Sequence, residues 1–402
     1  MNINSRIRQR RLEAVLNYDD ARAAAQKRLP KAIFDYVDGG AEDEVTLRRN
    51  TKGFRDLSFE PKGATWIEQP DLKTNILGLE LSMPVLTAPC GGMRLVHPEG
   101  DLGIAAAAAQ AGIAHVATSA SGYTLEEIAA TPGPQWFQAY RFSNQEAMRS
   151  LVHRAKAAGF EGLVATIDTS VSGNREKDFR NGFSYDMRIN LSNALRMAPQ
   201  MLRRPEWVYR YMRDGMPFQL PNTADLTVDG KPMELTEMIR TGKDSHSPSW
   251  EDIAWMRANW DGPLIVKGIL GTADALTAAR LGADGIIVSN HGGRQLDGAP
   301  ASIAVLPQIA AAVGDTVTVL LDSGIRRGSD VLKALSLGAK AVLVGRLPAW
   351  GLAVNGQAGV SHILEITRAE MIRTMRLLGC PSVQQLDPSW LSGHILAGAD
   401  AP

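Results

Sequence analysis

The chain has 402 residues, 43 Lys+Arg against 43 Asp+Glu, and 45% apolar residues. That apolar share supplies a sizeable core and excludes wholesale disorder, while the balanced charge excludes the electrostatic footprint of a dedicated nucleic-acid binder. Two cysteines, Cys90 and Cys380, with no CxxC pair, exclude a disulfide framework, and no uninterrupted apolar run is long enough to span a bilayer. The basic N-terminus (MNINSRIRQRR) is not followed by an apolar stretch, so no secretory signal is read there and the expected location is the cytoplasm.

In chain order, residues 1–83 read as an N-terminal extension, helical around 20–38 and then irregular and Pro-containing. From residue 84 onward, eight short β-branched runs alternate with helical stretches: PVLTA (84–88), HVAT (115–118), WFQAY (136–140), GLVATID (162–168), PLIVKG (263–268), GIIVSN (285–290), TVLLDSG (318–324) and AVLVGR (341–346). Thr124 to Glu127 and Ser249 to Asp252 carry the spacing of helix-capping boxes. Strands separated by helical crossovers imply parallel βα units, and eight of them close a (β/α)8 TIM barrel, expected here over 84–402. An eight-stranded doubly wound sheet is the alternative. The position of the polar residues separates the two. They fall at the C-terminal ends of the runs (Gly91, Thr118, Gln138 and Tyr140, Thr166 and Asp168, Lys267, Ser289 and His291, Asp322, Gly345-Arg346), which is the face on which barrel enzymes assemble their sites. Residues 169–248 form an insertion after the fourth run, too long for a structureless loop and therefore expected to carry helices of its own.

The loop after the seventh run reads Asp322-Ser323-Gly324-Ile325-Arg326-Arg327-Gly328 before a helix, and the eighth run ends in Gly345-Arg346. Glycines admit close backbone approach, a helix N-terminus offers N–H groups, and arginine forks match phosphate oxygens. Neither GxGxxG nor GxxxxGK[ST] is present, so the phosphate belongs to a substrate or to a flavin mononucleotide. Lys267, ending an apolar strand, favours the flavin, because a fixed cation stabilises an anionic reduced ring. A lone histidine is more often structural than catalytic. His291 differs in sharing its face with Arg294 and with Asp168, which would orient the imidazole. No cluster has metal-ligand spacing, so no metal is expected.

These residues resemble the FMN-dependent L-2-hydroxy acid oxidases and dehydrogenases, a family that includes glycolate oxidase, L-lactate dehydrogenase and mandelate dehydrogenase. SNHGGRQLDG (289–298) is the most specific segment, supported by RLPKAIFDYVDGGAEDE (28–44), WFQAY, ATIDTSVSGNRE (165–176), VKG and DSGIRRGSD (322–330), over about residues 22–385. The resemblance implies FMN-dependent oxidation of an L-2-hydroxy acid to the 2-oxo acid, with electrons passing to quinone or oxygen. His291 would take the substrate's α-proton or hydroxyl proton, Asp168 would support it, and Tyr140 would stabilise charge on the substrate oxygen. Arg175, Arg294 and Tyr36 would hold the carboxylate. FMN would contact Gly91, Thr118, Gln138, Thr166, Lys267 and Ser289, with its phosphate at Asp322, Ser323, Gly324, Arg326, Gly345 and Arg346. A homotetramer is implied by analogy. An FMN-dependent barrel oxidoreductase or isomerase acting on a different, larger substrate is the alternative.

The chain departs from the family at several positions. Cys90 stands where Thr is usual, Thr118 where Ser is, Gly91 where several oxidases have Ala, and Gly182 where an Arg is usual. Ala120 replaces a bulky Trp of glycolate oxidases, which implies room for a larger substrate side chain. Residues 187–218 carry six arginines (188, 196, 203, 204, 210, 213) against Glu206 and Asp214. A basic amphipathic segment of this kind either packs its apolar face on the barrel or lies peripherally on an anionic membrane, here the cytoplasmic face of the inner membrane.

Overall fold

A computed structural model describes residues 11–141, 145–183, 191–214, 220–223, 227–228, 231–232 and 247–392. Three helices open the chain, α1 (Tyr18–Arg28), α2 (Lys31–Asp38) and α3 (Val45–Asp56), followed by a hairpin of β1 (Thr74–Ile76) and β2 (Leu79–Leu81). Eight strands then close a parallel barrel: β3 (Val85–Thr87), β4 (Ala114–Thr118), β5 (Gln135–Ala139), β6 (Gly162–Thr166), β9 (Leu264–Ile269), β10 (Gly285–Val288), β11 (Thr318–Leu321) and β12 (Ala341–Val344). The short β7 (Thr227–Val228) and β8 (Lys231–Pro232) belong to the insertion, and α4 (Met93–Val96), α5 (Gly100–Gln110), α6 (Leu125–Ala129) and α7 (Gln145–Ala158) lie between the first four barrel strands. Each barrel strand lies within one of the eight expected runs or extends one residue past it. β12 pairs with β3, so the sheet has no edge and the doubly wound alternative is ruled out.

Strand alternation explains both the core and the site. Leu86, Val116, Trp136, Val164, Ile265, Ile287, Leu320 and Leu343 form one buried cluster inside the barrel, while their neighbours Val85, Ala117, Phe137, Leu163, Val266, Ile286, Leu321 and Val342 pack outward against the helices. The hairpin adds Ile76, Leu79 and Leu81 to the inner cluster and plugs one end of the barrel. Two residues beyond the inner layer, on the same inward-facing set, stand Thr118, Gln138, Thr166, Lys267, Ser289 and Asp322. The barrel interior thus changes from apolar to polar at its C-terminal end.

The extension departs from its expected form. Its helical pattern is two helices, because Pro30 drives Leu29 into the extended region (ψ 146) and stops α1. The irregular stretch contains a third helix, α3. Its start has no local signal: Glu44 provides no side-chain cap, and the Val45 and Thr46 amides donate instead to Asp297, at 3.1 and 2.7 Å, from the loop after β10. The two expected capping boxes are both formed.

Within the insertion, α8 (Glu176–Asn181), α9 (Leu191–Leu202) and α10 (Pro205–Arg213) supply the expected helices, and residues 187–190 and 215–218 of the basic segment lie outside the described residues. Trp207 of α10 is buried, donates to the Leu95 carbonyl at 2.9 Å and stacks on Tyr211 at 4.9 Å. Leu202, Tyr209 and Met212 are exposed.

One buried carboxyl away from the cavity wall yields a stability prediction. Asp101, only 1% exposed, accepts a 2.7 Å hydrogen bond from Ser121. Burial pushes its carboxyl up to about 6, against the opposing effect of that bond. The native state therefore holds this proton more tightly than the unfolded chain, and stability falls as pH rises from about 4 to about 6. Asp101→Asn keeps an acceptor for Ser121 and removes the charge. It is expected to stabilise the fold by about 2 kcal/mol at pH 7 and by less at pH 4.5, as read from denaturant unfolding at the two pH values.

Candidate active site

A cavity opens at the polar end of the barrel. Among its lining residues are Tyr36, Gly91, Ala120, Tyr140, Arg175, Lys267, His291, Arg294, Asp322 to Arg326, and Gly345-Arg346. Thirteen of the eighteen residues expected to form the site therefore line one space. The other five, Thr118, Gln138, Thr166, Asp168 and Ser289, stand behind its wall. Thr118 donates to Gln138 at 2.7 Å and Gln138 donates to Thr166 at 3.0 Å, a buried chain across three neighbouring strands.

His291 lies on the loop after β10 with φ +58, a left-handed conformation that costs an L-residue roughly 1–2 kcal/mol. Its Nδ1 lies 3.0 Å from Asp168 Oδ1, and its Nε2 lies 3.4 Å from the Tyr140 hydroxyl. Burial opposes ionisation of Asp168, but the charges of His291 and Lys267 outweigh it and hold the carboxyl below its ordinary range. An ionised Asp168 must receive a proton, so Nδ1 carries the hydrogen and Nε2 presents its lone pair beside Tyr140.

Two guanidiniums flank Tyr36: Arg294 lies 5.0 Å and Arg175 6.0 Å from its ring centroid. Arg294 Nη1 donates to the carbonyls of Tyr36 and Gly39, at 2.6 and 3.0 Å. Arg346 donates to Val37, Gly39 and Gly292, at 3.0, 2.8 and 3.0 Å. Both cations are thus seated on the negative end of α2. The Tyr36 hydroxyl donates to the Gly91 carbonyl at 2.9 Å.

Lys267 is 3% exposed, 3.2 Å from Asp322 and 3.0 Å from the Ser289 hydroxyl. Burial would discharge it, but Asp322 and Asp168 outweigh burial and raise its pKa, so it stays a cation. The Asp322 carboxylate is engaged with Lys267 and with Ser323 at 2.7 Å, which leaves anion contacts in this loop to the residues after it. Those residues fit a phosphate. Arg346 is pushed down to about 9, by burial first and then by Arg326 and Arg294, so a cluster of cations is crowded together. The buried Nε of Arg326 has no hydrogen-bond partner among the described residues. Arg326 is held over Tyr18 and Trp350, at 4.9 and 5.6 Å from the ring centroids. Gly324 has φ +94, and a side chain there would meet the Asn50 carbonyl oxygen at 2.5 Å. A phosphate at the two arginines and a cation deep in the barrel match a flavin mononucleotide.

Sequence reasoning passed over Gln295, which donates to the carbonyls of Asp168 and Val171, at 3.0 and 3.1 Å, and so ties the β6 and β10 loops together. It also passed over Asn50 and Asn290, which pair behind the His291 loop. Gln295 and Asn290 sit inside the SNHGGRQLDG string and were findable there. Asn50 lies on the helix that has no local start signal.

Comparison with known proteins agrees with this geometry. A family model for FMN-dependent dehydrogenases matches residues 25–393. The (S)-mandelate dehydrogenase of Pseudomonas putida is 40% identical over 381 residues, covering 94% of each chain. An L-lactate dehydrogenase of Azorhizobium caulinodans is 41% identical, covering 93% of this chain and 98% of the relative. A pre-mycofactocin synthase of Mycolicibacterium smegmatis is 39% identical, covering 92% and 91%. A crystal structure of monotopic membrane (S)-mandelate dehydrogenase superposes with a TM-score of 0.87 at 39% identity, covering 94% of this chain and 99% of that one. The chain belongs to the FMN-dependent dehydrogenase family.

Proposed function

We propose that this oxidoreductase converts an L-2-hydroxy acid of the mandelate or lactate type into the 2-oxo acid. The observation that carries the reading is one base, His291 Nε2, in a cavity it shares with Arg175, Arg294, Tyr36 and Tyr140. Arg294 and Arg175 bind the carboxylate, which a simple alcohol would lack, and Tyr36 adds a hydroxyl to that subsite. Nε2 takes the α-proton or the hydroxyl proton, and Asp168 stabilises the imidazolium that results. Tyr140 donates to the substrate oxygen as charge develops there. Bound FMN supplies the two-electron acceptor, with Lys267 as its fixed cation and Arg326 and Arg346 at its phosphate. Thr118, Gln138, Thr166 and Ser289 belong to the same cofactor shell. Ala120 lines the cavity, and its methyl in place of a large ring leaves space for an aromatic side chain, so mandelate is the favoured acid.

Anaerobic addition of L-mandelate and L-lactate to the flavin-loaded protein is the test. Bleaching of the flavin absorbance by either acid supports the reading, with faster bleaching by mandelate expected, and slow recolouring in air marks a dehydrogenase rather than an oxidase. Bound flavin that neither acid bleaches moves the substrate to a different, larger molecule.

The exposed side of α9 and α10 supports peripheral attachment to an anionic membrane, on the cytoplasmic face of the inner membrane, where quinone is the acceptor. Leu202, Tyr209 and Met212 protrude beside the exposed Arg203 and Arg213. No helix among the described residues is long and apolar enough to cross a membrane. Replacing Arg203 and Arg213 together with Ser is expected to weaken binding to phosphatidylglycerol vesicles by about tenfold or more, at roughly 1 kcal/mol per cation, with no change on phosphatidylcholine. Co-sedimentation at low and high salt reads this out.

A further inference from the structure

The catalytic loop after β10 holds three consecutive residues at positive φ: His291 (+58), Gly292 (+67) and Gly293 (+74). Two of them are glycines. His291 is not, so something outside the residue must hold its conformation. Each peptide N–H in the run ends on a side-chain oxygen. His291 N donates to Ser289 Oγ at 3.0 Å, Gly292 N to Ser323 Oγ at 2.9 Å, and Gly293 N to Asn290 Oδ1 at 3.1 Å. Ser289 follows directly on β10, and Ser323 stands two residues past the end of β11. Asn290 owes its orientation to two partners, the Pro300 carbonyl at 2.9 Å and Asn50. Asn50 Nδ2 donates to Asn290 Oδ1 at 2.8 Å, and Asn290 Nδ2 donates back to Asn50 Oδ1 at 2.7 Å. This closed amide pair joins positions 240 residues apart and is buried, with Asn50 at 1% and Asn290 at 4% exposure. The Asn50 main chain also lies against Gly324, in the loop expected to take the phosphate.

We infer that Asn50 is a positioning residue: through its reciprocal amide pair with Asn290 it sets the left-handed turn that aims His291 Nε2 at the substrate. This rests on the reading of His291 as the base. The N-terminal extension is then part of the working site. A deep amide pair serving only as core glue would contribute stability and nothing else. The two roles separate experimentally, because a displaced base loses turnover in enzyme that is folded and flavin-loaded.

Asn50→Leu removes both bonds at similar volume. Measured per bound FMN, its kcat is expected to fall about 10- to 100-fold, with KM within about threefold of the native value. Asn50→Asp keeps the acceptor for Asn290 Nδ2, but its carboxylate faces Asn290 Oδ1 without a proton. Its kcat deficit relative to the native enzyme is expected to shrink as pH falls and the carboxyl regains a hydrogen to donate. If Asn50→Leu does not accumulate as folded protein, Asn50→Asp carries the same comparison. Crystal structures of the variants provide a readout independent of substrate, and residues 291–293 are expected to leave the left-handed run. Native kcat per FMN in both variants, or an unchanged 290–293 backbone, overturns the proposal even if thermal stability drops. Failure of the native enzyme to oxidise any 2-hydroxy acid would strike the functional reading instead, and the loop conformation in the crystal would still decide this one.

Discussion

Replacing His291 with asparagine is expected to lower kcat for the 2-hydroxy acid about 10³- to 10⁴-fold while leaving FMN bound and the fold intact. Asparagine suits the test because it tolerates the left-handed region that His291 occupies at φ +58, so the turn is not broken by the substitution. It has no lone pair of comparable basicity, so the loss reports proton transfer rather than position. Asp168→Asn is expected to lose less, about 10²-fold, because it removes the partner that fixes the Nδ1–H tautomer but leaves the base in place. A limit on the pH dependence follows. Asp168 stays ionised below the usual carboxylate range, so across pH 5 to 9 its carboxylate keeps its hold on Nδ1–H and contributes no fall in kcat/KM. Steady-state rates across pH 5 to 9 for the native enzyme and both variants are the measurement. A His291→Asn enzyme within tenfold of native would remove His291 from the base role.

Most of the site was legible because a closed parallel barrel makes sequence position a spatial coordinate. Side chains alternate, so the residue two places beyond an inward apolar one must face the same axis at the next level. Val116 leads to Thr118, Trp136 to Gln138, Ile265 to Lys267 and Leu320 to Asp322. Strand ends read from β-branched runs therefore brought residues from six strands to one mouth without any knowledge of loops. What the runs could not convey is how the barrel is dressed. Helix α3 starts on the amides capped by Asp297, and the hairpin plug is defined by its burial in the inner cluster of the barrel rather than by its own pattern. The charge pairing at Lys267 was equally out of reach. Asp322 was grouped with the phosphate loop by its place in DSGIRRG, whereas its carboxylate turns inward to the ammonium.

That inward pair gives the second large effect. Lys267→Met would leave Asp322 and Asp168 as two carboxylates in the polar layer of the barrel, with the cation they share removed. Breaking one side of a buried ion pair costs about 3–5 kcal/mol, so the variant is expected to unfold at clearly lower denaturant and to lose flavin readily. Adding Asp322→Asn removes the stranded charge and is expected to return most of that stability, since an amide still accepts from the Ser323 hydroxyl that now donates to Asp322 at 2.7 Å. Activity should not return with it. The double variant still lacks a fixed cation beside the flavin and is expected to remain about 10²- to 10³-fold below native in kcat. Denaturant unfolding, flavin content and anaerobic bleaching on the three proteins separate the two roles of one side chain. A double variant that regains both stability and turnover would make Lys267 a counter-ion for Asp322 and nothing more, whereas stability without turnover fixes its chemical task at the flavin.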